Sequence, residues 1–201
     1  MLSEKLKIPH ISTGDMLREA TQKKTDLGKQ AKLFLDKGEL VSDQIVLGIV
    51  EQRIKQPDCN RGFLLDGFPR TIAQTKALDR ILGEMGKSID VVIELDIPDD
   101  LAIKRMLNRL SCMQCSANFN SDTNPSKTEG KCDFCGGKLI HRTDDTDEVI
   151  KGRLGIFHQE VEPIEKYYAK QDKSAIISGE DKTDKVLERI LKVLKERNLL
   201  F

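Results

Sequence analysis

Gly62-Phe63-Leu64-Leu65-Asp66-Gly67-Phe68-Pro69-Arg70-Thr71 is the stretch that decides the fold. Phe63, Leu64 and Leu65 form an unbroken apolar run, the pattern of a strand buried on both faces of a parallel sheet. The run stops at an acid, a glycine and a proline of fixed φ. An arginine follows where helical periodicity begins, over Thr71 to Leu82. In an open α/β sheet, ligands bind beyond the carboxyl ends of the strands. Asp66 and Arg70 are therefore expected to face a site, although an ordinary strand, turn and helix with a solvated arginine shows the same local pattern.

Composition narrows the classes. A chain of 201 residues suits one domain with insertions, or two small ones. Its 33 basic and 33 acidic residues cancel, so nothing global favours nucleic acid or a membrane surface, and any basic site must be local. No apolar segment approaches ~18 residues, and the start lacks a signal-peptide core. A cytoplasmic protein with reduced thiols is expected.

Upstream of the central stretch, Pro9 to Ser12 reads as a short strand. Ser12-Thr13-Gly14-Asp15 then supplies helix-capping chemistry ahead of a helix from Met16. Plain capping accounts for Ser12 and Asp15 without a ligand, although a helix start also offers N–H groups to an anion. The helices that follow, with Gly38 as a C-cap, Glu39-Leu40-Val41 as a crossing and Ser42 as an N-cap, look like a lobe inserted ahead of Phe63.

Downstream, Gly83-Glu84-Met85-Gly86-Lys87-Ser88 imitates a phosphate loop. The pattern G-x-x-x-x-G-K-[ST] needs a glycine where Ile81 stands, so the segment reads as a helix C-cap and turn. Val91 to Ile97 is the clearest strand, and Pro98 opens the next helix. Ile103, Met106, Leu107 and Leu110 form a helical core stripe, which puts Arg105 and Arg109 together on the opposite face.

Cys112-Met113-Gln114-Cys115 and Cys132-Asp133-Phe134-Cys135 make a C-x2-C-x16-C-x2-C array, within the spacing of a four-thiolate zinc site. Four sulfur ligands leave no open position. Zinc or another tetrahedral metal would therefore be structural, stapling a lobe too small to hold itself. A nucleic-acid-binding zinc ribbon is the rival reading; the neutral charge and few aromatic residues weigh against it. Cys59 and His141 lie outside the quartet.

Asp66-Gly67-Phe68-Pro69-Arg70 resembles the D-G-F-P-R motif of adenylate kinases. Ile11-Ser12-Thr13-Gly14-Asp15-Met16-Leu17-Arg18 resembles the family's segment that begins the nucleoside-monophosphate lobe, and the cysteine insertion resembles the zinc-carrying lid of one class of members. The resemblance runs from Leu2 to about Leu194. It implies an α/β fold: a doubly wound parallel sheet of the P-loop nucleoside-monophosphate-kinase type, with an AMP-binding helical lobe and a small zinc lid. The implied divisions are a core over 1–11, 42–110 and 144–201, a lobe over 12–41 and a lid over 111–143.

The implied activity is reversible phosphoryl transfer from ATP to AMP, giving two ADP, with structural zinc, with Mg²⁺ accompanying ATP and as a monomer when complete. By the same resemblance AMP contacts Thr13, Arg18, Glu39, Leu40, Val41, Gly67, Arg70, Gln74, Arg142 and Arg153. ATP contacts Arg105 and Arg109. Arg70, Arg109, Arg142 and Arg153 act on the transferring phosphoryl group, and Asp66 orients Mg²⁺ through its waters. Asp144 and Asp145 match acids at the lid hinge.

The family's first strand and phosphate loop would lie ahead of Met1, on the order of 15–20 residues. The chain is therefore expected to be an incomplete form, inactive without that loop and lacking a central strand. Two alternatives stand beside this reading: a catalytically inactive AMP-binding or zinc-ribbon scaffold, and a kinase for another nucleoside monophosphate.

Overall fold

A computed structural model describes residues 1–35 and 41–200. A short helix α1 (Leu2–Leu6) ends at Lys7, whose φ is 54°. It leads into β1 (His10–Ser12), α2 (Thr13–Gln22), α3 (Asp26–Leu35) and α4 (Asp43–Ile54). A 3-10 turn at Pro57–Cys59 precedes β2 (Leu64–Asp66), α5 (Ile72–Glu84), β3 (Val92–Asp96) and α6 (Asp99–Leu107). Then come β4 (Arg109–Cys112), β5 (Asn118–Asn120), β6 (Leu139–His141), the long α7 (Asp147–Ala169), β7 (Ser174–Ser178) and α8 (Thr183–Glu196).

The fold is the α/β type expected, with parallel strands and flanking helices. β1 runs parallel to β2, with Ser12 beside Asp66, and β3 runs parallel to β7, with Asp96 beside Ser178. These are two separate hydrogen-bonded pairs. A third, antiparallel sheet in the order β5-β4-β6 carries the first cysteine pair at the end of β4 and in the turn after it, and the second ahead of β6.

The main core lies around α4 and α5. Val46, Val50 and Ile54 recur every four residues on α4 and meet Leu78, Ile81 and Leu82 of α5, with Ile11 of β1 among them. Burying each such side chain contributes roughly 1.5–3 kcal/mol. Tyr168 of α7 is fully buried and donates its hydroxyl proton to Asp79 of α5 at 3.4 Å; Tyr167 does so at 2.9 Å.

Several expectations need correcting. Leu64 and Leu65 are only half-buried, because β2 has a strand partner, β1, on one edge alone among the described residues. Arg105 and Arg109 do not share a helical face: α6 stops at Leu107, Asn108 caps it, and Arg109 opens β4. Leu110 accordingly belongs to the antiparallel sheet, opposite Phe119 and His141, and not to a helical stripe. The imitation phosphate loop is a helix end, as expected: Gly86 has φ 68° and the Lys87 N–H returns to the Leu82 carbonyl at 2.8 Å.

Candidate active site

The turn after β2 is built around the Gly67 carbonyl. It accepts from the Thr13 hydroxyl at 3.0 Å and from Arg70 Nε at 2.7 Å. Gly67 has φ 70°, which strains any other residue, and a Cβ there would stand 2.8 Å from Arg70 Nη2 and push that guanidinium aside. The Arg70 N–H donates to Gln74 Oε1 at 2.7 Å, and Thr71 caps α5 by accepting from the Gln74 N–H at 3.1 Å. Thr13, Gly67, Arg70 and Gln74, which the resemblance set around AMP, thus form one hydrogen-bonded chain spanning the start of α2 and the start of α5.

Beside it lies a cluster of guanidinium groups and carboxylates. Arg18 donates to Asp15 at 2.5 Å and lies 3.9 Å from Asp144. Arg153 pairs with Asp144 and reaches Asp145 at 3.4 Å. Arg109 grips Asp145 through two hydrogen bonds, Nε at 2.8 Å and Nη2 at 2.5 Å. Arg142 is held by Ser111 Oγ and Asn118 Oδ1, both at 2.7 Å, and lies 3.6 Å from Asp15.

Arg70 forms no ion pair among the described residues. It is crowded by protein yet open to water, and that crowding, then the charges of Arg153 and Arg18, set its pKa below the ordinary value. Burial first, then repulsion from Arg109 and Arg18, brings Arg142 down to about 10. Five guanidiniums (Arg18, Arg70, Arg109, Arg142 and Arg153) face four carboxylates (Asp15, Asp144 and Asp145, with the charge of Asp66 acting on Arg70), which leaves one positive charge over. Such an excess in a partly enclosed place attracts phosphate groups.

The remaining predicted residues fall as follows. Arg105 stands apart from this cluster and donates to the carbonyls of Gly179 and Glu180, each at 2.7 Å, at the end of β7. Asp66, exposed at the end of β2, lies 3.1 Å from His10 Nε2. Val41 is buried in the main core, whereas Glu39 and Leu40 lie outside the described residues.

The four cysteine sulfurs lie within 4.8 Å of one another. Cys112–Cys135 and Cys115–Cys135 are each 3.4 Å apart, and Cys115–Cys132 is 3.6 Å. A tetrahedral ion with metal–sulfur distances of about 2.3 Å sets its ligands about 3.8 Å apart, so the quartet fits such an ion with little adjustment. The thiols already differ. The Cys115 backbone N–H, acting against burial and aided by the Gln114 N–H, brings Cys112 down to about 6. The Ala117 N–H pulls Cys115 down, but burial and the neighbouring thiols prevail and push it up to about 12. Gly137 lies so close that a Cβ there would meet Cys112 Sγ at 2.9 Å.

Comparison with known proteins gives the family. Residues 1–173 match the family profile described as adenylate kinase. The chain belongs to the adenylate kinase family. It is 45% identical to an adenylate kinase of Thermodesulfovibrio yellowstonii over 196 residues, 98% of this chain and 91% of that one. It is 46% identical to one of Archaeoglobus fulgidus over 195 residues, 97% and 90% of the two chains. One of Carboxydothermus hydrogenoformans is 47% identical over 189 residues, 94% and 88%. The function is that of an adenylate kinase, a phosphotransferase of adenine nucleotides.

Sequence reasoning missed the part of two carboxylates in this hydrogen-bonded network. Asp15 is not a cap; Ser12 caps α2 by accepting from the Asp15 N–H at 3.3 Å, and the Asp15 carboxylate serves Arg18 and Arg142. Its spacing three residues before Arg18 was the available signal. Asp43, which accepts from Gln74 Nε2 at 2.7 Å, had none. Thr146, next to Asp145, caps α7, its hydroxyl accepting from the Val149 N–H.

Proposed function

We propose that the arginine–aspartate cluster is the phosphate end of both nucleotide sites, and that the chain transfers a phosphoryl group reversibly from ATP to AMP. The excess positive charge of the five guanidiniums is the observation that carries this reading. AMP lies against Thr13, Arg18, Val41, Gly67, Arg70, Gln74, Arg142 and Arg153, with Glu39 and Leu40 beside it. ATP lies against Arg105 and Arg109. Arg70, Arg109, Arg142 and Arg153 neutralise charge that spreads over the transferring group, and catalysis is positioning and electrostatic stabilisation, with no covalent intermediate on the protein.

Residues 111–143 form the lid, 12–41 the AMP lobe, and the remainder the core. Zinc is the ion that Cys112, Cys115, Cys132 and Cys135 would hold; closed by four thiolates, it supplies rigidity to the β4–β6 sheet and no chemistry. Mg²⁺ accompanies ATP, and Asp66 would orient its waters. No helix of the described residues is long and apolar enough to cross a membrane. The protein works as a cytoplasmic monomer on soluble nucleotides.

The test is formation of ADP from ATP and AMP followed by a coupled assay, with GMP, CMP and UMP as competing acceptors. Preference for AMP supports the proposal. Equal use of another acceptor replaces it with the broader kinase reading, and binding of AMP without turnover replaces it with the scaffold reading.

A further inference from the structure

We infer that Asp43 sets the base preference of the acceptor site by locking the polarity of the Gln74 amide; this rests on the proposal that AMP lies against Gln74, and takes the amide to meet the base. Gln74 is 2% exposed, and both ends of its amide are engaged. Its Nε2 donates to Asp43 Oδ1 at 2.7 Å and its Oε1 accepts from the Arg70 N–H at 2.7 Å. A carboxylate only accepts and a backbone N–H only donates. Turning the amide over would set oxygen against oxygen on one side and N–H against N–H on the other, and a buried group that loses its partners is costly.

Thr71 reinforces the same sense. Its hydroxyl accepts from the Gln74 N–H at 3.1 Å and so has its proton free to donate to Asp43 Oδ2, 3.4 Å away. Asp43 stands at the first position of α4, on a different element from the rest of the network. It draws no support from the arginine cluster and has no part in phosphate binding.

The consequence lies in what the amide has left to offer. Nε2 keeps one N–H beyond the one given to Asp43, and Oε1 keeps one lone pair beyond the one used by Arg70. The free donor and free acceptor therefore come in one fixed order. Adenine presents an acceptor at N1 beside the amino donor at C6. Hypoxanthine and guanine present the reverse, an N–H at N1 beside a carbonyl at C6. With the ribose and phosphate fixed, only one polarity of the amide suits each base, and Asp43 holds the polarity in place. Sites that discriminate by hydrogen bonds gain most when the wrong ligand leaves buried groups unpaired.

The test is calorimetric binding of AMP and of inosine 5′-monophosphate, which share size and phosphate, to the full chain and to Asp43→Asn and Gln74→Leu. Asparagine can face either end of the Gln74 amide, which leaves the Arg70 N–H as the one remaining lock, so Asp43→Asn is expected to lower the AMP-to-IMP affinity ratio about tenfold, the worth of one hydrogen bond. Gln74→Leu is expected to lower it too. An Asp43→Asn variant that weakens both ligands by the same factor, or neither, overturns the lock while leaving Gln74 as the reader of the base if Gln74→Leu still narrows the ratio. A ratio unmoved by Gln74→Leu, or a wild-type chain that binds no AMP, overturns the lock and the underlying reading together. Should Asp43→Asn not fold, Asp43→Ser, whose hydroxyl also both donates and accepts, is measured against the same outcomes.

Discussion

Arg109 and Asp145 are 36 residues apart in sequence and joined through two hydrogen bonds of 2.8 and 2.5 Å. The Asp145 side chain is 1% exposed, whereas that of Arg109 is 25% exposed. The pair ties the first residue of β4, where the cysteine-bearing sheet begins, to the chain that returns from that sheet into α7. Removing one member leaves the other charge uncompensated. Breaking a buried pair costs about 3–5 kcal/mol, and the water-accessible Arg109 places Asp145→Asn near ~3 kcal/mol. At roughly 2–4 °C per kcal/mol for a chain of this size, the melting temperature should fall by about 6–12 °C in a calorimetric scan.

Arg70 should behave in the opposite way. It holds no carboxylate, so Arg70→Ala is expected to move the melting temperature by only about 1–2 °C, as surface changes do. AMP affinity should fall by about 10- to 100-fold, the worth of a hydrogen bond to a charged phosphate. Calorimetric titration of the wild type and the variant checks the split.

Acid should loosen the cluster through its carboxylates. Burial acts to raise Asp144, but the hydrogen bond from Arg153, with the charges of Arg153 and Arg18, outweighs it and holds the carboxyl below its ordinary value. Asp15 is likewise lowered against its burial by Arg18 and Arg142. A carboxyl depressed in the folded state takes up its proton more readily when unfolded. Its stabilisation is present above the unfolded value of about 4 and is lost as pH falls through the folded one. Melting scans from neutral pH downward should therefore show a gap between wild type and Asp144→Asn that is constant above pH ~5 and closes below pH ~4.

Metal removal should act on the small sheet and spare the main core. The Cys115 thiol, pushed up to about 12, carries its proton at neutral pH, so loading zinc into the metal-free protein must release protons, measurable as acidification of a weakly buffered solution. Chelation, or Cys132→Ser, should lower amide-exchange protection across β4, β5 and β6. Protection around Leu78 and Leu82 should stay near the wild-type value.

The cysteine quartet and the Asp66–Arg70 turn were legible in the sequence because their chemistry is local: ligand spacing and a turn's glycine and proline are set within a few residues. The same holds for Ser12 as a cap and for Gly86 as a helix end. Periodicity failed at Asn108, where the chain leaves a helix for a strand, so Arg105 and Arg109 were set on one face and in fact part company. Which carboxylate serves which arginine was not legible at all. Asp15 reaches Arg142, Asp145 reaches Arg109 and Asp43 reaches Gln74 only because α2, β4, α4 and α5 come together in space. A charge is written in the sequence; its partner is chosen by packing, since the pairing energy depends on distances that only the assembled fold sets.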